Sequence, residues 1–355
     1  MTTCPICGFA AILEFKDYPG YIEPLKYDIL SCPGCGASFS TPLEARAEIY
    51  NLIYARADKM PGYKRYAGYA DEIRLRPDPF AFLAAKEDSY WAVWKSLQVL
   101  GLGPGARVLE VGSGLGYLTY ALARSGYMAT GLDISAEAVG KATAAFGYHY
   151  VCGSLDGFGG ACNQKFKLVI MNELLEHAED PLALLSAAEA VLDDDGAILI
   201  TTPNKSFFRT GEAVWETDNP PVHLWWFSED AVRKLAKKIN CSASFLSFLE
   251  YNRQKYLWVR WGDKRTPYSG HAILVDGKPR EIKRQPFLDL IRALARPARS
   301  KIRGVTDMVT RRERHRRTTM CALISRNREA VQGKNFYQPE VAGGYKPLEV
   351  PYGEG

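Results

Sequence analysis

Glu110, Gly112, Ser113, Gly114, Gly116 and Asp133 are the first residues whose types and spacing could do chemistry. They lie in R-V-L-E-V-G-S-G-L-G-Y (107–117) and M-A-T-G-L-D-I-S (128–135). Val108, Leu109 and Val111 form a short apolar run of the kind that makes a buried parallel strand, and it breaks into glycines. Residues 117–124 are good helix formers, stopped by Gly126. A strand, a glycine bend and a helix amino terminus bring backbone N–H groups and the positive end of a helix dipole to one place, where a polar or anionic ligand can bind. A dinucleotide fingerprint would need glycine at position 117, and Tyr117 stands there. The Glu110 carboxylate would repel a pyrophosphate and pair with a cationic amino group, which fits a zwitterionic amino-acid ligand.

Four cysteines form the second set. C-P-I-C-G carries Cys4 and Cys7, C-P-G-C-G carries Cys32 and Cys35, and 24 residues separate the pairs. In each C-x-x-C-G the glycine lets backbone amides turn towards sulfur, and four thiolates suit a tetrahedral, structural Zn²⁺ with no open position for a substrate. A redox pair would normally occur once, beside a strand–helix unit.

The third set is Asn172, His177 and His223. M-N-E-L-L-E-H-A-E-D-P (171–181) follows a strand expected at 167–171, and P-P-V-H-L-W-W-F-S (220–228) follows T-T-P-N (201–204). Histidine titrates near neutrality, so either could take a proton from a hydroxyl. Each could equally brace its loop. Prolines 220 and 221 stiffen theirs, and Trp225, Trp226 and Phe227 could form an apolar wall that excludes water or simply wedge the loop onto the sheet.

Together the acid-x-G-x-G-x-G turn, the acid 21 positions after Gly112, the stretch ending in Glu176–His177 and the P-x-H-L-W-W-F-S block resemble the class I S-adenosylmethionine (SAM)-dependent methyltransferases, in their small-molecule branch. The resemblance covers about residues 100–250 and a last strand. It implies that Glu110, Gly112, Ser113, Gly114 and Gly116 hold the methionine part of SAM and that Asp133, with Ile134, holds the nucleoside, Asp133 binding the ribose hydroxyls. Asn172 would line the floor near the sulfonium, and His177 or His223 would be the general base. Relatives commonly carry aspartate where this chain has Ser154. The backbone N–H of Leu155 could still read the adenine.

These residues need a scaffold, and the chain from 106 to 250 alternates strands and helices at the rhythm of a doubly wound sheet. Strands are expected at 107–111, 128–132, 148–152, 167–171, 197–202, 243–249 and 318–326, with helices at 116–125, 135–146, 181–192 and 228–239. The fold class is α/β: a Rossmann-like, mostly parallel seven-stranded sheet. The domain order is a zinc ribbon at 1–42, a helical, aromatic linker at 43–100 whose tyrosines could form a lid, the SAM-binding domain at 101–250 plus 318–327, a basic cap inserted at 251–317, and an irregular arm at 328–355.

With 47% apolar residues the chain can bury a sizeable core. No run approaches the roughly 18 uncharged apolar residues a membrane span needs, and the start lacks a signal peptide's regions, so the expected location is cytoplasmic. The net charge of +5 hides an asymmetry: residues 251–318 carry +13 and the rest −8. Residues 286–303 set Phe287, Leu290, Ile291 and Leu294 on one helical stripe among arginines. That segment reads as a solvated cap helix, a phosphate-recognising rim or a membrane-surface helix. The expected function is methyl transfer to a small or medium-sized acceptor such as a natural product or a sugar-like molecule, whose anionic groups would meet the cap. An RNA or protein methyltransferase gripping its substrate through ribbon and cap is the alternative, and a non-catalytic zinc-ribbon scaffold a further one.

Overall fold

The computed structural model describes residues 2–147, 149–161, 164–207, 219–256, 271–280, 315–327 and 331–337. Chain order begins with three antiparallel strands, β1 (Ile12–Pro19), β2 (Lys26–Ser31) and β3 (Ser38–Thr41), then four helices, α1 (Ala47–Ala55), α2 (Lys64–Glu72), α3 (Pro79–Lys86) and α4 (Asp88–Val99). The alternating part follows: β4 (Arg107–Val111), α5 (Tyr117–Arg124), β5 (Met128–Asp133), α6 (Ala136–Phe146), β6 (Tyr150–Cys152), α7 (Leu155–Ala161), β7 (Phe166–Asn172), α8 (Pro181–Ala190) and β8 (Leu192–Pro203). Next come β9 (Trp225–Trp226), α9 (Glu229–Lys238), β10 (Ser242–Leu246), α10 (Leu249–Tyr256), the small pair β11 (Leu274–Val275) and β12 (Lys278–Pro279), β13 (Thr319–Ser325) and β14 (Phe336–Tyr337).

The main sheet runs β14-β10-β13-β8-β7-β4-β5-β6. Its five strands from β8 to β6 are parallel, and β13, β10 and β14 are joined antiparallel. The chain runs outward from β4 through β5 to β6, then returns to place β7 on the other side of β4. That reversal is the topological switch point, where open α/β sheets bind ligands beyond the carboxyl ends of their strands.

Strand interiors are apolar on both faces because both are covered. Val169 and Met171 of β7 pack on one face with Leu109, Ile198 and Ile200, whereas Leu168 and Ile170 pack on the other with Val108, Leu199 and Trp91. Helix starts follow the sequence closely: Ser135, Asp180 and Ser228 cap α6, α8 and α9 through side-chain oxygens that accept backbone N–H bonds.

Three expectations change. The strand expected at 197–202 starts at Leu192, and the helix before it, expected to run to 192, ends at Ala190. The sheet has an eighth strand, because Phe336–Tyr337 of the supposedly irregular arm pairs with β10, and the Tyr337 hydroxyl donates to Glu229 Oε1 at 2.5 Å. The strand expected to run to 249 ends at Leu246, where the Ser247 hydroxyl accepts the N–H of Leu249 at the start of α10. The amphipathic stripe at 286–303 and most of the basic insertion lie outside the described residues. Among the described residues no helix is long and apolar enough to cross a membrane.

The cysteine strands are not a loose appendage. β9 adds to their sheet, with Phe39 opposite Trp225 and Ser38 opposite Trp226. The Tyr21 N–H donates to the Pro220 carbonyl at 2.7 Å, Asn219 Nδ2 donates to the Pro19 carbonyl at 2.9 Å, and the Ser228 hydroxyl donates to the Cys35 carbonyl. Lys205, buried at this seam, reaches Glu14, Ser31 and Ser38.

Candidate active site

A cavity of about 820 Å³ opens at the carboxyl ends of β4, β5 and β7, at the switch point. That is the size of a cofactor-and-substrate cleft. Glu110, Gly112, Ser113, Gly114, Asp133, Ile134, Ser154, Leu155, Asn172, His177 and His223 all line it. Gly116 lies one step behind.

The bend needs its glycines for two reasons. Gly112 and Gly116 have φ of +76° and +80°, and a Cβ at Gly116 would sit 2.6 Å from the Ala142 Cβ. A Cβ on Gly112 would meet a Leu174 methyl at 2.7 Å, so the ends of β4 and β7 touch here. The amides of the bend are less available than expected. Those of Gly112 and Ser113 donate to the Leu132 carbonyl at 2.8 and 3.1 Å, that of Gly116 to the Ser113 carbonyl at 2.8 Å, and that of Gly114 to Asp133 Oδ2 at 2.7 Å. The bend therefore offers close approach rather than an open anion hole, a further reason for a diphosphate to fit badly.

Asp133 is held from two sides, Oδ1 accepting from the Ser135 N–H at 2.8 Å. Each oxygen keeps lone-pair capacity towards the cavity, as a carboxylate has about four acceptor sites. Burial raises its pKa against these two hydrogen bonds. Glu110 is 5% exposed and accepts the Thr119 hydroxyl. Burial pushes it up to about 8 against its hydrogen bonds with Thr119. Ser113 Oγ is buried with no hydrogen-bond partner among the described residues.

Ile134 is 72% exposed, an apolar surface beside Asp133. Ser154 is spent on its own turn, accepting the Gly157 N–H at 3.3 Å, and Leu155 opens α7. Asn172 Oδ1 accepts the Thr201 hydroxyl at 3.0 Å.

His177 Nδ1 lies 2.5 Å from the Val222 carbonyl and 3.2 Å from the Tyr50 hydroxyl, so that ring is braced between loop 219–224 and α1. Its centroid is 4.6 Å from that of His223, edge to face. Burial lowers His223 to about 3, which keeps it neutral across physiological pH. Glu176, His177 and His223 each bring a ligand-type atom within 4.8 Å of the others'.

Trp225, Trp226 and Phe227 do not line the cavity. They are buried between sheet and cysteine strands: Trp225 stacks on Phe227 at 5.6 Å, and its indole N–H donates to the Ala178 carbonyl at 2.9 Å. The tyrosine segment does line it. Tyr54 of α1 stands over Gly114, and Tyr66 of α2 stacks on Tyr117 at 6.4 Å.

Several lining residues were not picked out from sequence, among them Arg65, Glu87, Asp88 and Glu173. Glu173 stood in plain view inside M-N-E-L-L-E-H, but its conformation was invisible there.

At the other end, Cys4 Sγ lies 3.7 Å from Cys35 Sγ and Cys7 Sγ 3.4 Å from Cys32 Sγ, all four being within 4.8 Å. Tetrahedral zinc with 2.3 Å bonds needs sulfurs roughly 3.8 Å apart. The two knuckles match: the Gly8 N–H donates to the Cys4 carbonyl at 2.8 Å and the Gly36 N–H to the Cys32 carbonyl at 2.7 Å, both glycines at φ +73°. The donor set fits zinc.

Residues 84–243 match a family model described as a methyltransferase domain. This part of the chain is a methyltransferase domain. The methyltransferase domain is similar to the ubiquinone biosynthesis O-methyltransferases of Haemophilus ducreyi, at 34% identity over 111 residues, and of Xanthomonas campestris pv. campestris, at 34% over 108 residues. These matches cover 29% of this chain and 47% and 45% of the relatives, so the chain spans about half the length of the curated relatives it matches. Among solved structures it is similar to magnesium protoporphyrin IX methyltransferase from Synechocystis PCC 6803 with bound SAH, at 20% identity and a TM-score of 0.39, covering 56% of this chain and 90% of that one. A SAM-dependent methyltransferase from Archaeoglobus fulgidus matches at 12% identity and a TM-score of 0.40, covering 73% and 98%.

Proposed function

We propose that the protein transfers a methyl group from SAM to a small or medium-sized acceptor, with a structural zinc ribbon braced against the catalytic loop. The observation that carries this reading is the pair of buried acids, Glu110 and Asp133, flanking the glycine bend at the switch point of a methyltransferase-family domain. SAM supplies an electrophilic methyl on a sulfonium. Glu110 would meet the amino group, Ser113 the carboxylate, Asp133 the ribose hydroxyls, and Ile134 with Leu155 the adenine. Asn172 would sit near the sulfonium. Cys4, Cys7, Cys32 and Cys35 would hold Zn²⁺, which does not take part in the chemistry.

Catalysis on such a site is mostly positioning and exclusion of water, helped by a base where the nucleophile carries a proton. Of the two histidines, His223 is poorly suited to be that base, since burial disfavours its charged form. His177 is better placed to fix loop 219–224 through its Nδ1 contacts. The matched relatives are named O-methyltransferases, which supports an oxygen acceptor. The +13 charge of residues 251–318 favours a second reading, a nucleic-acid substrate.

The test is incubation with SAM and panels of hydroxylated aromatics, sugars, phosphorylated metabolites and short RNA, following methyl transfer by mass. Transfer to a small molecule with no salt-steep RNA binding supports the reading; methylation of RNA alone would replace it.

A further inference from the structure

Glu173 is one of the cleft residues to which the family resemblance gives no task. It follows β7 directly, between Asn172 and the Leu174 side chain that abuts Gly112. Its φ is +52°, in the left-handed region that a glutamate rarely occupies. The backbone is pinned there by Thr201 of β8, whose carbonyl and hydroxyl oxygens both accept the Glu173 N–H at 3.0 Å. Glu173 lines the cavity, and its Oε1 is buried with no hydrogen-bond partner among the described residues.

The charged groups around it are already engaged. Glu87 is paired with Arg65 at 2.8 Å and accepts the Tyr69 hydroxyl at 2.8 Å. Asp88 is paired with Arg317 at 2.7 Å, and the Arg65 guanidinium also donates to the Tyr66 hydroxyl at 2.6 Å. Tyr66, Tyr90 and Tyr117 complete that wall, the last two sharing a hydroxyl contact at 2.5 Å. A strained backbone holding an acid with one unpaired buried oxygen beside the bend is costly unless a ligand uses it.

We propose that Glu173 receives the proton of the methyl acceptor, and that the acceptor is therefore a hydroxyl or amine on a neutral or cationic molecule rather than an anionic one. This rests on the SAM reading above. The acceptor oxygen or nitrogen bonds to the methyl carbon, the carbon–sulfur bond breaks with its electron pair going to sulfur, and the acceptor's proton goes to the Glu173 carboxylate. Glu173 is pushed up to about 8, by burial first and then by Asp88 and Glu87 against Thr201 and Arg65. That makes it a far stronger base than His223, and one matched to near-neutral working pH. The Glu173 carboxylate also opposes the phosphorylated or acidic acceptor that the basic insertion suggested.

The experiment needs no known acceptor. Sinefungin carries an amine where SAM carries its transferable methyl; S-adenosylhomocysteine (SAH) carries nothing there. The ratio of their affinities, measured calorimetrically on the full chain between pH 6 and 9, reports the carboxylate facing the methyl position, and the shared amino-acid end cancels Glu110. The wild type should prefer sinefungin by about tenfold above pH 8, less at lower pH, as a charge-assisted contact predicts. Glu173→Gln should bind SAH as before and lose both the preference and its pH dependence. Glu173→Asp should keep a reduced preference. If Glu173→Gln retains the wild-type preference, or if the wild type binds SAH but shows none, Glu173 does not face the reacting centre and the proposal is wrong. If the wild type binds neither nucleoside, it is the SAM reading that fails.

Discussion

At Glu110 the physical chemistry makes a directional prediction. Its carboxyl sits at about 8 because burial disfavours the charge, so at neutral pH the empty site holds a proton there. Ligand ammonium would ionise it, and binding would release that proton. SAM affinity should rise with pH between about 6 and 7.5, by at most about tenfold per unit. Glu110→Gln should flatten the dependence, and calorimetry in buffers of different ionisation enthalpy should show the proton. For stability the sign is opposite. A carboxyl raised above its unfolded value of 4.5 contributes stability that is present at low pH and lost as pH rises through about 8, so the empty protein's melting temperature should fall across that window and SAM should oppose the fall. Glu110 and Asp133 were legible in the sequence because each occupies a fixed offset from the glycine bend. Glu173 was not, since its importance lies in a left-handed φ and a buried unpaired oxygen, both set by the neighbouring strand.

Among the elements, periodicity and capping placed β4, α5, β5, α6, α8, α9 and β13 within a residue or two, as expected where apolar runs and Ser or Asp caps agree. The W-W-F block was harder to read. An aromatic cluster after a strand can face the cleft or the protein, and only pairing of β9 with β3 decides that it faces the cysteine strands. That pairing has a consequence. Loop 219–228, which carries His223 and contacts His177, is stitched to the cysteine strands through Pro19, Tyr21, Cys35, Phe39 and Ser40. Zinc should therefore support the cleft from a distance. About one zinc per chain is expected by elemental analysis. Chelation, or Cys32→Ser with Cys35→Ser, should lower the melting temperature by about 10 °C and weaken methyl transfer more than SAM binding. Metal-free protein with unchanged melting would refute the brace.

For the molecule as a whole, the charge asymmetry visible in the sequence belongs mainly to a segment outside the described residues, whereas the cavity walls are rich in acids: Glu110, Asp133, Glu173, Glu87 and Asp88. Charge counted along a chain says where partners of opposite sign gather, not what a folded cleft selects. The topology, by contrast, was legible, because alternating elements and a glycine bend after the first parallel strand fix where the switch point falls. What the cleft is built to hold can be settled by calorimetry of the full chain with SAM and with NAD. SAM should bind in the micromolar range, NAD should give no heat of binding, and Asp133→Ala should weaken SAM by about tenfold or more. NAD binding at comparable affinity, or SAM affinity unchanged by Asp133→Ala, would contradict the account.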